Sequence, residues 1–198
     1  MSKVTTGATM SLDGFIAGPN HDGFDYLFKW YNRGDVETPT GNPKMTFRTS
    51  AASAEHLRKL TERLGALVVG RTLYNITNGW GGRHPLDTPT VVLTHERPAD
   101  RPEDDENFVF VSTGIEDAVA KAKELAGGKE VGLNGGTIAR QALDAGLLDE
   151  VHVDLVPVLL GSGIPFFGQI AGAPVEFEGP ISLVEGDGVT HIAYRVVR

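Results

Sequence analysis

A chain of 198 residues, 40% hydrophobic and 22% charged, is long enough to bury a core within one domain and has the balance of an ordinary globular protein. A formal net charge of −8 with no local basic stripe argues against nucleic acid as a partner, since its phosphates would be repelled. The absence of cysteine excludes a disulfide framework, a thiolate zinc site and a Cys nucleophile. No apolar run reaches the roughly 20 residues that span a bilayer, so the expectation is a cytoplasmic protein without a membrane partner.

In chain order, Val4 to Met10 is strand-like and follows the N-terminus directly, without a signal h-region. Ser11-Leu12-Asp13-Gly14 turns it into a second short apolar run, Phe15 to Ala17, which Gly18-Pro19-Asn20 ends. Phe24 to Tyr31 predicts a short aromatic helix, and Asn32 to Thr49, rich in Gly and Pro, predicts a long mobile loop bordering a site. Ser53 is placed as the N-cap of a helix through Leu64, and Leu67 to Val69 as a buried strand ending at Gly70-Arg71-Thr72, with helix from Leu73 to Asn78. Strands are expected at Thr90–Thr94 and Phe108–Val111, separated by an acidic solvated loop at Asp100–Glu106, and a helix at Ile115–Ala126 before Gly127-Gly128. Glu150 to Leu160 reads as a long strand. Ile181–Val184 and Val189–Val197 flank Glu185-Gly186-Asp187-Gly188 as a hairpin. Strands alternating with helices imply an α/β fold, a largely parallel sheet covered on both faces, with antiparallel strands at one edge.

The segment Glu130 to Ala145 carries the strongest chemical signal. Val131 and Leu133 alternate as in a strand, Asn134-Gly135-Gly136-Thr137 turns, and Ile138, Ala142 and Leu143 recur at helical spacing. Two glycines at a strand-to-helix junction let a phosphate or pyrophosphate approach the free N–H groups of the helix start; they serve equally as a simple turn. Glu150, His152 and Asp154 share one strand face, where a polar face at a solvent or subunit boundary is favoured over a metal site. Ser162 lies in Gly161-Ser162-Gly163, which does not match a nucleophile elbow. Trp30, Tyr31 and Trp80 either wall a planar ligand or complete a core.

Five motifs stand in order: Ser11-Leu12-Asp13-Gly14-Phe15-Ile16-Ala17, Val69-Gly70-Arg71-Thr72, Val92-Leu93-Thr94-His95, Asn134-Gly135-Gly136-Thr137, and Val156 to Gly163. The series resembles the dihydrofolate reductase superfamily, and most of all its branch containing the C-terminal reductase domain of bifunctional riboflavin-biosynthesis proteins and its stand-alone relatives. The resemblance covers Val4 to Arg198 as one domain and implies a dihydrofolate-reductase-like three-layer sandwich with helices on both faces of the sheet. It implies an oxidoreductase that binds NADPH across the strand ends and passes a hydride to a small heterocyclic or carbonyl substrate, such as 5-amino-6-(5-phosphoribosylamino)uracil. The alternative is a nucleotide-binding module without turnover.

Carried over by position, the resemblance assigns Gly70, Arg71, Thr72, Gly135, Gly136, Thr137 and Ile138 to the cofactor's phosphates, and Thr94 and His95 to its adenosine ribose and 2′-phosphate. Thr9, Ile16 and Ala17 border the nicotinamide. Arg97 could add charge there, and Glu96 is a departure. The substrate side is assigned to Phe15, Trp80, Asn134, Leu159, Gly161 and Phe166, with Asp13 either the acid that follows the hydride or a turn cap. Asn134 stands where the riboflavin-pathway reductases commonly carry Glu, Phe15 stands where a basic residue is frequent, and no carboxylate falls in register for folate reduction. The family likeness and an apolar edge at Glu150–Leu160 and the hairpin imply a homodimer, with Glu150, His152 and Asp154 at its rim.

Overall fold

Side chains of Val4–Ser11 (β1) alternate between two faces, and both faces are covered, so the strand takes the centre of a sheet rather than an edge. The computed structural model describes residues 2–42, 45–99, 105 and 107–197. After β1 come Phe15–Ala17 (β2), Phe24–Leu27 (α1) with a 3-10 turn at Lys29–Asn32, Val36–Pro39 (β3) and Thr46–Thr49 (β4). Ala51–Arg63 (α2), Leu64–Gly70 (β5), Arg71–Ile76 (α3), Thr90–Leu93 (β6) and Phe108–Val111 (β7) follow. The chain then forms Ile115–Leu125 (α4), Glu130–Asn134 (β8), Thr137–Asp144 (α5), Glu150–Val156 (β9), Ile164–Pro165 (β10), Phe177–Gly186 (β11) and Val189–Val196 (β12).

Eight strands make one sheet in the order β11-β12-β9-β1-β8-β5-β6-β7. β9, β1, β8, β5, β6 and β7 run parallel, and β12 and β11 add antiparallel pairs beyond β9. The small apolar faces of α4 and α5 (Ala118, Ala122, Ala139 and Ala142 among them) pack on Val68, Val91, Val131 and Leu133. On the opposite face Leu57 of α2 joins Leu27, Trp30, Val156 and Val189, and Tyr74 of α3 joins Val69, Val92 and Phe108. This is the mostly parallel, doubly covered α/β sandwich with an antiparallel C-terminal hairpin. The neighbouring strands β5 and β8 send their connections in opposite directions, β5 outward to β6 and β8 across β1 to β9. Ligands of open α/β sheets bind outside the strand ends at such a reversal.

Four expectations are corrected. Segment 32–49 contains the hairpin β3–β4 rather than an unstructured loop; the pair Glu37↔Arg48 is polar and Thr38↔Phe47 supplies only one apolar side chain, so little apolar alternation reveals the strands. Ser50, not Ser53, caps α2: its Oγ accepts the Ser53 N–H at 3.3 Å, while Ser53 itself is buried, and Leu64 already has extended angles and begins β5. β9 stops at Val156 because Pro157 has no N–H for the ladder, and it lies inside the sheet between β1 and β12, so β11 is the edge. The aromatic segment is a four-residue helix and a separate 3-10 turn. Most of the acidic stretch Asp100–Glu106 lies outside the described residues, as do Pro43 and Lys44.

Candidate functional site

A cleft of 1740 Å³ opens over the C-terminal ends of β1, β8, β5 and β6. Every residue assigned to the cofactor lines it: Thr9, Ile16, Ala17, Gly70, Arg71, Thr72, Thr94, His95, Gly135, Gly136, Thr137 and Ile138. Three helices begin there: α3 after Gly70, α4 after Gly114 and α5 after Gly136. Their first N–H groups have no partner within the helix and make the positive end of the cleft, where no lysine among the described residues contributes. Ser112, Thr113 and Gly114, at the β7–α4 turn, belong to this end and carry no pattern that the sequence alone exposes.

The glycines divide the work. Gly136 has φ 75° and ψ −137°, a conformation that L side chains rarely adopt, and its N–H donates to the Phe166 carbonyl at 2.7 Å. A Cβ on Gly135 would instead sit 3.1 Å from Ile16 Cδ1 and 3.2 Å from Ala8 Cβ, so Gly135 allows the turn to lie against β1 and β2. Arg71 is held across the end of β6: Nη1 donates to the Glu96 carbonyl at 2.9 Å and to Thr94 Oγ1 at 3.3 Å, and Nε donates to Asn75 Oδ1 at 2.8 Å. Glu96 thus meets Arg71 through its backbone. Arg97 lies over the Phe110 ring at 5.7 Å and is not among the cleft-lining residues. These features fit the anionic groups of a dinucleotide: a cradle without Cβ atoms, a helix N-terminus and a fixed guanidinium.

On the substrate side Trp80 and Asn134 line the cleft, whereas Phe15, Leu159, Gly161 and Phe166 do not. Phe166 is buried in the core and Leu159 is exposed. Trp80 sits in a left-handed stretch from Asn78 to Gly82, with φ 49° at Trp80 itself, and its ring meets His84 edge-on at 4.4 Å. Asp13 is used as an anchor. It accepts the Ser11 hydroxyl at 2.5 Å and the Leu160 and Gly161 N–H groups at 3.1 and 2.7 Å, which hold its carboxyl below the usual range. It does not line the cleft. The aromatic wall comes from the other end: Phe24, Phe28, Tyr31 and Phe47 line the cleft, with Tyr31 stacked between Trp30 and Phe47 at 4.0 Å from each. Trp30 is buried core. Burial and the nearby Asp154 charge push the Tyr31 phenol up.

The face of Glu150, His152 and Asp154 is covered by α2 and Lys3 of its own chain, which corrects its placement at a solvent or subunit rim. Lys3 pairs with Glu150 at 2.9 Å. Desolvation is the largest single influence and opposes the charge on Glu150, but the bonds and charges of Lys3 and His152 together outweigh it and lower the pKa. Arg63 bonds His152 at 3.1 Å and faces Glu130 at 3.2 Å, an ion pair whose atoms are misaligned for a hydrogen bond. Asp154 Oδ1 accepts from His191 Nδ1 at 2.6 Å and lies 3.7 Å from His56 Nε2, while the two imidazoles stack at 4.0 Å and 13°. A metal ion sits in the plane of each imidazole that binds it, about 2.1 Å from the nitrogen. Two stacked, nearly parallel rings do not share such a point, so this trio suits hydrogen bonding rather than a metal. Burial, more than any charge nearby, holds His56 at about 4. Sequence spacing could not find this cluster, because its members come from α2, β9 and β12.

The model of the RibD C-terminal domain matches residues 2–178. No curated protein matches the chain. Among solved structures, a protein from Shewanella sp. PV-4 assigned to riboflavin biosynthesis superposes with a TM-score of 0.74 at 25% identity over 99% of both chains. A dihydrofolate reductase from Enterococcus faecalis, complexed with NADP(H) and RAB-propyl, gives 0.58 at 15% identity over 99% of this chain and 97% of the other. The diaminohydroxyphosphoribosylaminopyrimidine deaminase/5-amino-6-(5-phosphoribosylamino)uracil reductase of Thermotoga maritima gives 0.62 at 15% identity; 99% of this chain matches 57% of that one. With a fold shared by these structures and a family match across residues 2–178, the chain belongs to the RibD C-terminal domain family.

Proposed function

We propose that the chain is an NADPH-dependent reductase that transfers a hydride to a flat heterocycle or carbonyl compound, the reduction of 5-amino-6-(5-phosphoribosylamino)uracil being the first candidate reaction. One observation carries the reading: a single cleft joins an anion-binding end, built from three helix starts and Arg71, to an aromatic end walled by Tyr31 and Phe47. Dinucleotide phosphates suit the first and a planar ring suits the second. When bound, the dihydronicotinamide supplies the hydride. Gly136 and the α5 start hold its pyrophosphate, Arg71 and Thr94 hold the adenosine end, Thr9, Ile16 and Ala17 place the ring, and Trp80 and Asn134 touch the substrate. The family membership and the NADP(H)-bound relative support the cofactor. The edge strand β11 exposes Phe177, Ile181 and Leu183, and we assign it to a two-fold homodimer.

The test is NADPH binding by calorimetry together with NADPH oxidation over a panel of pyrimidines, pterins and quinones. Binding with turnover of one acceptor supports the reductase. Binding without turnover of any would make the chain a nucleotide-binding module, and no binding would remove the cofactor assignment.

A further inference from the structure

We propose that Asp154 delivers the proton to the substrate in the cleft, positioned and supplied by a hydrogen-bond chain through His191, Ser53 and Ser50; this rests on the reductase reading above. The carboxylate accepts only, so His191 Nδ1 carries the proton of the 2.6 Å bond. In the singly protonated ring Nε2 then accepts from the Ser53 hydroxyl at 2.9 Å, and Ser53 Oγ in turn accepts from Ser50 at 3.2 Å. Every link donates toward the cleft. The chain starts at half-buried Ser50, the N-cap of α2, beside the β11–β12 turn, where the Asp187 N–H reaches Ser50 Oγ at 3.4 Å.

This order of Ser, His and Asp resembles a nucleophilic triad, but Ser53 is 1% exposed and no substrate atom can reach it. The accessible end is Asp154. It lines the cleft in register with Thr9 of β1, its side chain is 22% exposed, and among the described residues Oδ2 accepts no hydrogen bond. Around it stand His56 and Arg63 of α2, Tyr31 of the 3-10 turn, His191 of β12 and His152 of its own strand. Buried His56 stays neutral at physiological pH, so no imidazolium from α2 stands beside the carboxyl.

A hydride delivered to the carbon of a C=N or C=O bond leaves the electron pair on the heteroatom, which must take a proton. The Asp154 carboxylate takes the proton of His191 Nδ1 and passes it on to the heteroatom, so it ends ionised as it began. His191 Nε2 takes the Ser53 proton, Ser53 takes that of Ser50, and Ser50 takes one from water. Asp13 is already committed to the Ser11 hydroxyl and to backbone amides.

The experiment compares the full wild-type chain with Asp154→Asn and Ser53→Ala in NADPH binding, in oxidation of NADPH with each acceptor of the panel, and in pH profile and solvent deuterium isotope effect. Asp154→Asn is expected to bind NADPH as wild type does and to lose about 100-fold or more in kcat, the usual worth of a general acid. Ser53→Ala is expected to keep KM, lower kcat several-fold, displace the pH profile and enlarge the isotope effect. Unchanged kcat in Asp154→Asn overturns the proposal while the reductase reading stands. If Asp154→Asn does not fold, an unaltered pH profile and isotope effect in Ser53→Ala overturn it. A wild-type chain that neither binds NADPH nor oxidises it sinks the reductase reading, and this inference with it.

Discussion

Gly136→Ala probes the turn on which the anion site depends. At φ 75° and ψ −137° an alanine is strained, and the nearest atom to its Cβ would be Ile16 Cδ1 at 3.5 Å, an ordinary contact. The cost is therefore backbone strain without a clash, about 1–3 kcal/mol. In a domain of this size each kcal/mol moves Tm by roughly 2–4 °C, so a loss of roughly 2–12 °C is expected by calorimetry. Relief of that strain would rotate the peptide that opens α5, and NADPH affinity should fall about 10-fold or more. Gly135→Ala is the control. Its Cβ meets Ile16 Cδ1 and Ala8 Cβ at 3.1 and 3.2 Å, so it is expected to cost about 1 kcal/mol by overpacking. Wild-type Tm and NADPH affinity in Gly136→Ala would refute the reasoning, since the turn would then not need glycine.

Arg71→Ala is expected to weaken NADPH binding by about 1.5–3 kcal/mol, roughly 10- to 150-fold, and NADH binding less, as calorimetry on both cofactors will show. His56 titrates near 4 in the folded chain and near 6.5 when unfolded, so the unfolded chain binds more protons between those values. Its contribution, on the order of 1–3 kcal/mol, is full above pH 6.5 and is lost as pH falls toward 4. Urea unfolding at pH 7.5 and 4.5 should show a smaller difference in His56→Gln than in wild type. Light scattering at micromolar concentration should report about twice the 21.2 kDa chain mass. A monomer would require that Phe177, Ile181 and Leu183 stay exposed.

Elements with strong periodicity were legible: β1, β5, β7, α4 and the Val131 to Asp144 unit follow from alternation, 3.6-residue spacing and glycine stops. Segment 32–49 was not, because β3 and β4 pair through Glu37, Arg48 and Thr38 rather than through an apolar face. That the residues assigned to the cofactor gather along one cleft was legible because they sit at strand ends next to glycines. Which glycine needs the unusual backbone was not, since both neighbours read alike and only the angles separate Gly136 from Gly135. The aromatic end and the Asp154–His191–Ser53 chain assemble residues up to 138 positions apart, which no local spacing encodes.

The most direct test of the central claim is a crystal structure of the chain with NADPH. The account predicts pyrophosphate density on the Gly136–Thr137 turn, the 2′-phosphate within reach of Arg71, and the nicotinamide beside Thr9 and Ile16. NADPH bound elsewhere, or a cleft that stays empty at millimolar NADPH, would contradict it.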